Sequence, residues 1–471
     1  MMAGGIWLEQ ALGAVAMIVI ARTLGAEAFG VAAMAMVIIV AGEILVRETI
    51  SEYLIQKADV TPGDSDAVFW IVLAAACMLA GAIALAAPRI AALYGAQQVA
   101  PLLQWGSLCI VSVAVTATPV ALLRRELAFK TLAVRSALGA AIGGAAGIVA
   151  ALMGAGAWSL VIQRLAQALA NDGLIWLVHP YAPGRRATRA QVDAVLSFSA
   201  RLIGVRAAEV ASVHAPSVII GAMLGPAALG YFTAAWRFVD TLTFLLTAPL
   251  RYVAQPAFAA LKRGAADPGA LLREIAEALS LVSFAALLGL AAVAEPLIVL
   301  AFGPDWIDAA TPLRILCLAG AYYTIERLHL SFCIAMGETR APLRLSVLEA
   351  GLSAGLMILA APYGLAAVCW AMIAALISVW PLRLALLRRL TGMAIGPYLA
   401  SYAPPLVVAA TASLAAFAAA RAATPFGSLT ALAVGVGAGA ALYALVGAAA
   451  LRGRAARAWT LARAPRSASS L

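Results

Sequence analysis

Apolar residues run along this chain in blocks of about 20, each long enough to cross the hydrocarbon core of a bilayer as an α-helix. Fourteen spans are expected, at roughly 6–21, 29–46, 67–87, 102–123, 132–153, 157–178, 195–220, 228–250, 275–300, 312–335, 342–361, 364–387, 398–420 and 428–450. The seventh, eighth and tenth are unusually polar. The connections between spans are short, so no segment outside the membrane is expected to fold alone. Whatever chemistry the chain carries belongs inside the bilayer. The fold class is therefore all-α and polytopic.

Positive charge tests the count. With the N-terminus in the cytoplasm, the inner connections and the tail hold 23 of the 32 Lys and Arg residues. These include Arg124, Arg125, Lys130 and Arg135 after the fourth span, Arg185, Arg186 and Arg189 after the sixth, and Arg383, Arg388 and Arg389 after the twelfth. The outer connections hold only Arg22, Arg89, Arg314 and Arg421. One span too many or too few would reverse this alternation partway along, so the positive-inside rule supports fourteen spans with both ends cytoplasmic. The apolar stretch close behind Met1 reads as a retained first span rather than a cleaved leader.

Composition agrees: 64% of residues are hydrophobic, 11% are charged, and mean hydropathy is +0.98, a surplus that needs lipid as solvent. The net charge of +10 is scattered between apolar runs, which argues against a nucleic-acid partner. Cys77, Cys109, Cys317, Cys333 and Cys369 lie inside apolar runs without C-x-x-C spacing, so no metal, cofactor or disulfide framework is expected.

The chain also repeats itself. Leu24-Gly25-Ala26-Glu27-Ala28-Phe29-Gly30 follows the first span, and Leu224-Gly225-Pro226-Ala227-Ala228-Leu229-Gly230 follows the seventh, the same L-G-x-x-A-x-G frame. Tyr94-Gly95 with Pro101-Leu102, and Phe302-Gly303 with Pro312-Leu313, precede the fourth and tenth spans in the same way. An offset of six spans preserves orientation, so the halves are expected to be parallel repeats with a substrate site between them. The expected division is a six-helix bundle at 1–190, a second at 191–392, two added helices at 393–451 and a basic cytoplasmic tail at 452–471.

A charge at bilayer depth is expensive and usually faces a cavity or a partner. On the seventh span Arg201, Arg206, Glu209, Ser212 and Pro216 share an arc of about 140°, with His214 on the other side. On the eighth, Thr233, Arg237, Asp240, Thr241 and Thr247 share about 120°, with Arg237 and Asp240 one turn apart. Glu9 lies on the first span, Glu43 and Arg47 on the second, and Arg164 with Gln163, Gln167 and Asn171 on the sixth. Tyr322, Glu326 and His329 share a face of the tenth, with Arg327 to one side. Arg47, Arg164, Arg201, Arg206, Arg237 and Arg327 are the candidates to meet an anionic cargo, because guanidinium binds phosphate in bidentate fashion. Glu9, Glu43, Glu209, Asp240 and Glu326 are the candidates to exchange H+ or Na+ in a transport cycle. The plain alternative is structural ion pairing or snorkelling.

Several segments resemble Wzx-type polysaccharide exporters of the multidrug/oligosaccharidyl-lipid/polysaccharide (MOP) superfamily. They are Arg22 through Gly30, Tyr53-Leu54-Ile55-Gln56-Lys57, Leu123-Arg124-Arg125-Glu126-Leu127-Ala128-Phe129-Lys130, Leu224 through Tyr231, and Phe302-Gly303-Pro304-Asp305-Trp306. The resemblance implies two six-helix bundles in a V plus two helices, in the bacterial inner membrane. It implies flipping of undecaprenyl-pyrophosphate-linked oligosaccharides for lipopolysaccharide O-antigen, capsule or exopolysaccharide. It also implies polymerase and chain-length proteins as partners.

Two rivals stay within the superfamily: a multidrug/cation antiporter and a peptidoglycan lipid-precursor flippase. A third is an O-antigen polymerase or ligase, an enzyme on the same lipid carrier. Such enzymes need catalytic groups on a large outer loop, and no such loop, nucleophile–base pair or phosphate-binding loop is present in this sequence.

Overall fold

The computed structural model describes residues 2–184, 186–261 and 267–450. The expected tail 452–471, and Arg185, Lys262 and Arg263, lie outside the described residues. Among the described residues, fourteen long helices follow one another. The first two, α1 (2–24) and α2 (26–50), form the continuous stretch Met2–Ile50, broken at Gly25. Then come α3 (Pro62–Leu93), α4 (Val99–Arg125), α5 (Phe129–Leu152), α6 (Trp158–Val178) and α7 (Arg189–Leu224). The second set is α8 (Pro226–Leu261), α9 (Pro268–Ala292), α10 (Ala310–Ala335), α11 (Arg340–Ala360), α12 (Leu365–Thr391), α13 (Ile395–Ala423) and α14 (Ser428–Ala450).

The helices fall on the expected spans, most extended by a few residues at their ends. The ninth span differs. It stops at Ala292 and restarts as a short helix, Ala294–Phe302. Pro296 explains the break: it has no N–H for the carbonyl four residues back, which is Ala292 itself.

Local chemistry sets the helix starts. Thr61 and Asp64 make a reciprocal capping box at the head of α3, and Thr188 with Gln191 makes another at the head of α7. The two caps are joined, since Gln191 Nε2 donates to Thr61 Oγ1 at 2.9 Å. At the tail of α10, His329 Nε2 and the Tyr398 hydroxyl lie 2.6 Å apart in a buried contact, and Tyr402 donates to Tyr398 at 2.5 Å. Tyr443 on α14 donates to the Leu281 carbonyl of α9 at 2.5 Å. These bonds dock the added pair α13 and α14 onto α9 and α10.

By packing, the chain forms two compact units, Met1–Thr233 and Ala234–Leu471. In the first, α7 runs antiparallel along α2. Phe198 stacks edge-on against Tyr53 at 5.7 Å, Arg206 reaches Glu48 at 3.9 Å, and Gly221 faces Met34.

The repeated glycine frames meet at the far end of this seam. Gly25 has φ 75° and Gly225 φ 85°, a left-handed turn that favours glycine, and it lets each chain reverse into the next helix. A Cβ on Gly30 would overlap the Pro226 carbonyl, and a Cβ on Gly230 would overlap the carbonyl of Ala26. Ala26 and Pro226 hold the same place in the frame, so the contact is reciprocal, as a local twofold axis requires. The motif is thus a close-packed joint as well as a turn. Gly30→Val is expected to destabilise the protein by about 1–3 kcal/mol, read as a lower melting temperature in detergent. Gly81→Ala on α3, where a Cβ meets nothing within 4 Å, should leave it unchanged.

Candidate functional site

Ten helical stretches among the described residues are long and apolar enough to cross a membrane, with α1 and α2 counted as one. The helices outside that set are α6, α8 and α10. They carry Gln163, Arg164, Gln167, Asn171 and Asp172; Arg237 and Asp240; and Glu326, Arg327 and His329. Helices with this many polar groups gain nothing from facing lipid, so their polar sides turn to protein or to water.

In the first unit the charges pair closely. Glu43 on α2, with its side chain 2% exposed, takes both Arg164 Nε and Nη2 of α6 in a bidentate ion pair. Next to it, Asp172 on α6 accepts from the Ser112 and Thr116 hydroxyls of α4. Arg135 Nε on α5 donates to the Asn171 carbonyl at 3.1 Å. Glu9 on α1 is half-buried among the positive charges of Arg135, Arg164 and Arg47. Nearby, Arg47 lies 3.6 Å from Glu48, which also meets Arg206 at 3.9 Å, and Arg206 holds Glu209 at 2.8 Å. Arg201 is exposed on α7. Two separate groupings result: a neutralised knot around Arg164, and a half-open ladder along the α2–α7 seam.

In the second unit Arg237 is half-buried on α8. One turn on, Asp240 lies 3.9 Å from Arg327, whose Nη1 also reaches the Thr247 hydroxyl at 3.4 Å. Glu326 turns the other way, to Arg383 on α12. Arg383 also donates to Glu349 on α11 at 2.8 Å and to Ser346 at 3.3 Å.

Several basic residues counted with the cytoplasmic connections lie inside helices, Arg135 and Arg383 among them. Arg135 lies within α5 and Arg383 within α12, the latter buried in its unit and ion-paired. Each meets acceptors there: Arg135 the Asn171 carbonyl, and Arg383 the carboxylates of Glu326 and Glu349. Asp172, Glu349 and Glu48 were not among the candidate residues. Asp172 adjoins Asn171 in the polar stretch of α6, the one signal that could have revealed it.

The loops at the heads of α3 and α7 interlock. Arg125 donates to the carbonyls of Leu54, Lys57 and Ala58. Lys57 pairs with Asp64 at 2.7 Å, and that hydrogen bond holds its ammonium charged above the usual lysine range. Asp66 accepts from the Tyr181 hydroxyl and the Gly184 N–H, each at 2.9 Å, and from the Arg186 N–H at 3.2 Å. The result ties the connection between α6 and α7 to α3. A pocket of about 520 Å³ opens here between Thr61, Asp66, Arg125 and Tyr181, but its polar groups are largely committed to the interlock. The segments Tyr53–Lys57 and Leu123–Lys130 are thus joined by Arg125. Phe302–Trp306 is also structural, with Trp306 1% exposed and stacked on Phe302 at 5.0 Å.

Residues 19–311 match the polysaccharide biosynthesis protein family. The chain belongs to that family. Among characterised relatives it is 28% identical over 306 residues to the succinoglycan biosynthesis transport protein ExoT of Rhizobium meliloti, covering 65% of this chain and 62% of ExoT. It is 23% identical over 315 residues to the lipopolysaccharide biosynthesis protein WzxC of Escherichia coli, covering 66% of this chain and 63% of WzxC. The matches thus span less than two thirds of either relative. In fold, the chain is similar to the lipid II flippase MurJ in an inward closed conformation, with a TM-score of 0.73 at 14% identity over 95% of this chain and 98% of that one. It is also similar to an inward-facing multidrug resistance MATE family transporter of the MOP superfamily, with a TM-score of 0.56 at 16% identity over 82% and 96%. This member of the polysaccharide biosynthesis family is therefore a polytopic membrane protein with a MOP-type fold.

Proposed function

We propose that this protein is a flippase that moves undecaprenyl-pyrophosphate-linked oligosaccharides from the cytoplasmic to the periplasmic leaflet of the bacterial inner membrane by alternating access. The observation that carries the reading is the polar inventory of α6, α7, α8 and α10 in a chain of this family: guanidinium groups at membrane depth, part of them only loosely paired. In this reading Arg201, Arg206, Arg237, Arg47 and Arg327 meet the pyrophosphate, while Arg164 acts through its pair with Glu43. The halves 1–190 and 191–392 rock about the cleft between them, and both termini stay cytoplasmic. Glu9, Glu43, Glu209, Asp240 and Glu326 are the candidates for H+ or Na+ coupling, and a polymerase and a chain-length protein would take the product. No catalytic step is assigned.

A second reading rests on the likeness to the lipid II flippase MurJ: a peptidoglycan lipid precursor as cargo. Purified protein in liposomes separates the two. Fluorescent undecaprenyl-pyrophosphate-linked oligosaccharide should become inaccessible to an external membrane-impermeant quencher only where protein is present. Movement of a peptidoglycan precursor with no movement of the oligosaccharide would favour the second reading. Movement of neither would contradict both.

A further inference from the structure

A group of charges in the second unit does not balance. Arg383 on α12, Glu326 on α10 and Glu349 on α11 meet with side chains 8%, 13% and 13% exposed. Each lies about two and a half turns from one end of its helix, roughly 13 Å along the axis. The three helices bring them together at one depth, since α10 and α12 end where α11 begins.

One guanidinium faces two carboxylates. Arg383 gives Nη1 to Glu326 and Nη2 to Glu349, so neither acid receives a bidentate fork, and its Nε is buried without a hydrogen-bond partner. The other contacts are with neutral groups: Arg383 donates to the Ser346 hydroxyl at 3.3 Å, and the Tyr322 hydroxyl donates to Glu349 at 3.4 Å. Other titratable groups around the site do not restore the balance. Tyr323 is a phenol set edge-on against Trp236, His329 is buried on Tyr398, and Arg327 is exposed and reaches Asp240 and Thr247. Within the buried group itself, one guanidinium against two carboxylates leaves one negative charge in excess. A buried excess charge is costly, and two carboxylates sharing one site relieve it by keeping a proton.

We propose that Glu326 and Glu349 together hold one exchangeable proton while α10, α11 and α12 are packed, and release it to water when these helices part. The pair binds the proton as a unit, and Arg383 stabilises the carboxylate that stays ionised. This deepens the coupling part of the proposed function: it names the ion as H+, adds Glu349 and Arg383, and rests on that reading only for its role in transport.

The test separates the two. Infrared spectra of the purified protein near neutral pH should show the carbonyl stretch of a buried protonated carboxyl, lost in both Glu326→Gln and Glu349→Gln. Arg383→Met should add a second such group, because the remaining carboxylate then lacks its counter-charge. No protonated carboxyl in the wild type, or one that persists in both Gln variants, would overturn the proposal whether or not the protein flips lipid. In the liposome assay, either Gln variant should flatten the pH dependence of transport. An unchanged pH profile in both would overturn the coupling role.

Discussion

Glu43→Ala is expected to cost about 3 kcal/mol of stability. Glu43 is buried on α2 and is the carboxylate partner of Arg164. Removing it leaves a guanidinium facing the packed interior of its unit, and breaking a buried pair from one side costs about 3–5 kcal/mol. The lower end applies because the Arg164 side chain is still 32% exposed. Glu43→Gln retains an acceptor and should lose less. The double variant Glu43→Leu/Arg164→Met should return close to the wild type, since a well-packed apolar pair replaces a buried ion pair at little cost. Melting temperatures in detergent for the three variants check this. A double variant no more stable than Glu43→Ala would show that the pair is not the cause.

Arg201→Ala and Arg237→Ala should each lower export by on the order of tenfold, because a charge-assisted hydrogen bond contributes about 1.5–3 kcal/mol. Protein level should stay normal. Arg201 is exposed and Arg237 half-buried, so neither anchors its unit as Glu43 does. Lysine at either position should restore only part of the export, since it keeps the charge but not the planar fork. Export is read as cell-surface polysaccharide per unit of membrane-inserted protein. Wild-type export in both alanine variants would remove these residues from the proposed site.

The spans were legible because lipid imposes a length and a composition that few other environments demand. The polarity of α8 and α10 was legible for the same reason: a helix that breaks the apolar rule stands out against those that obey it. The L-G-x-x-A-x-G repeat was visible as a turn, but its reciprocal contact was not. The collision of Gly30 with Pro226 exists only once α2 and α8 are side by side.

Charge partners were the least legible. A helix wheel says which way Glu326 points along α10 and nothing about Arg383, 57 residues further on. Glu43 and Arg164 are 121 residues apart. Counting positive charges also hides such pairs. The rule sets orientation from all charges near helix ends, so it absorbed Arg135 and Arg383 into the connections even though both lie well in from the ends of their helices. Arg124, Arg125 and Lys130, and Arg388 and Arg389, lie at the ends of their helices, which is where the rule counts charge.

The central claim concerns the side of the membrane on which the lipid-linked sugar stands. It is tested most directly in cells that lack this protein, by measuring the leaflet in which undecaprenyl-linked repeat units accumulate, with a sugar-modifying reagent that cannot cross the membrane. Flippase action predicts complete repeat units trapped in the cytoplasmic leaflet, protected from the reagent. Single unpolymerised units accumulating in the outer leaflet would contradict it and point to a polymerase instead.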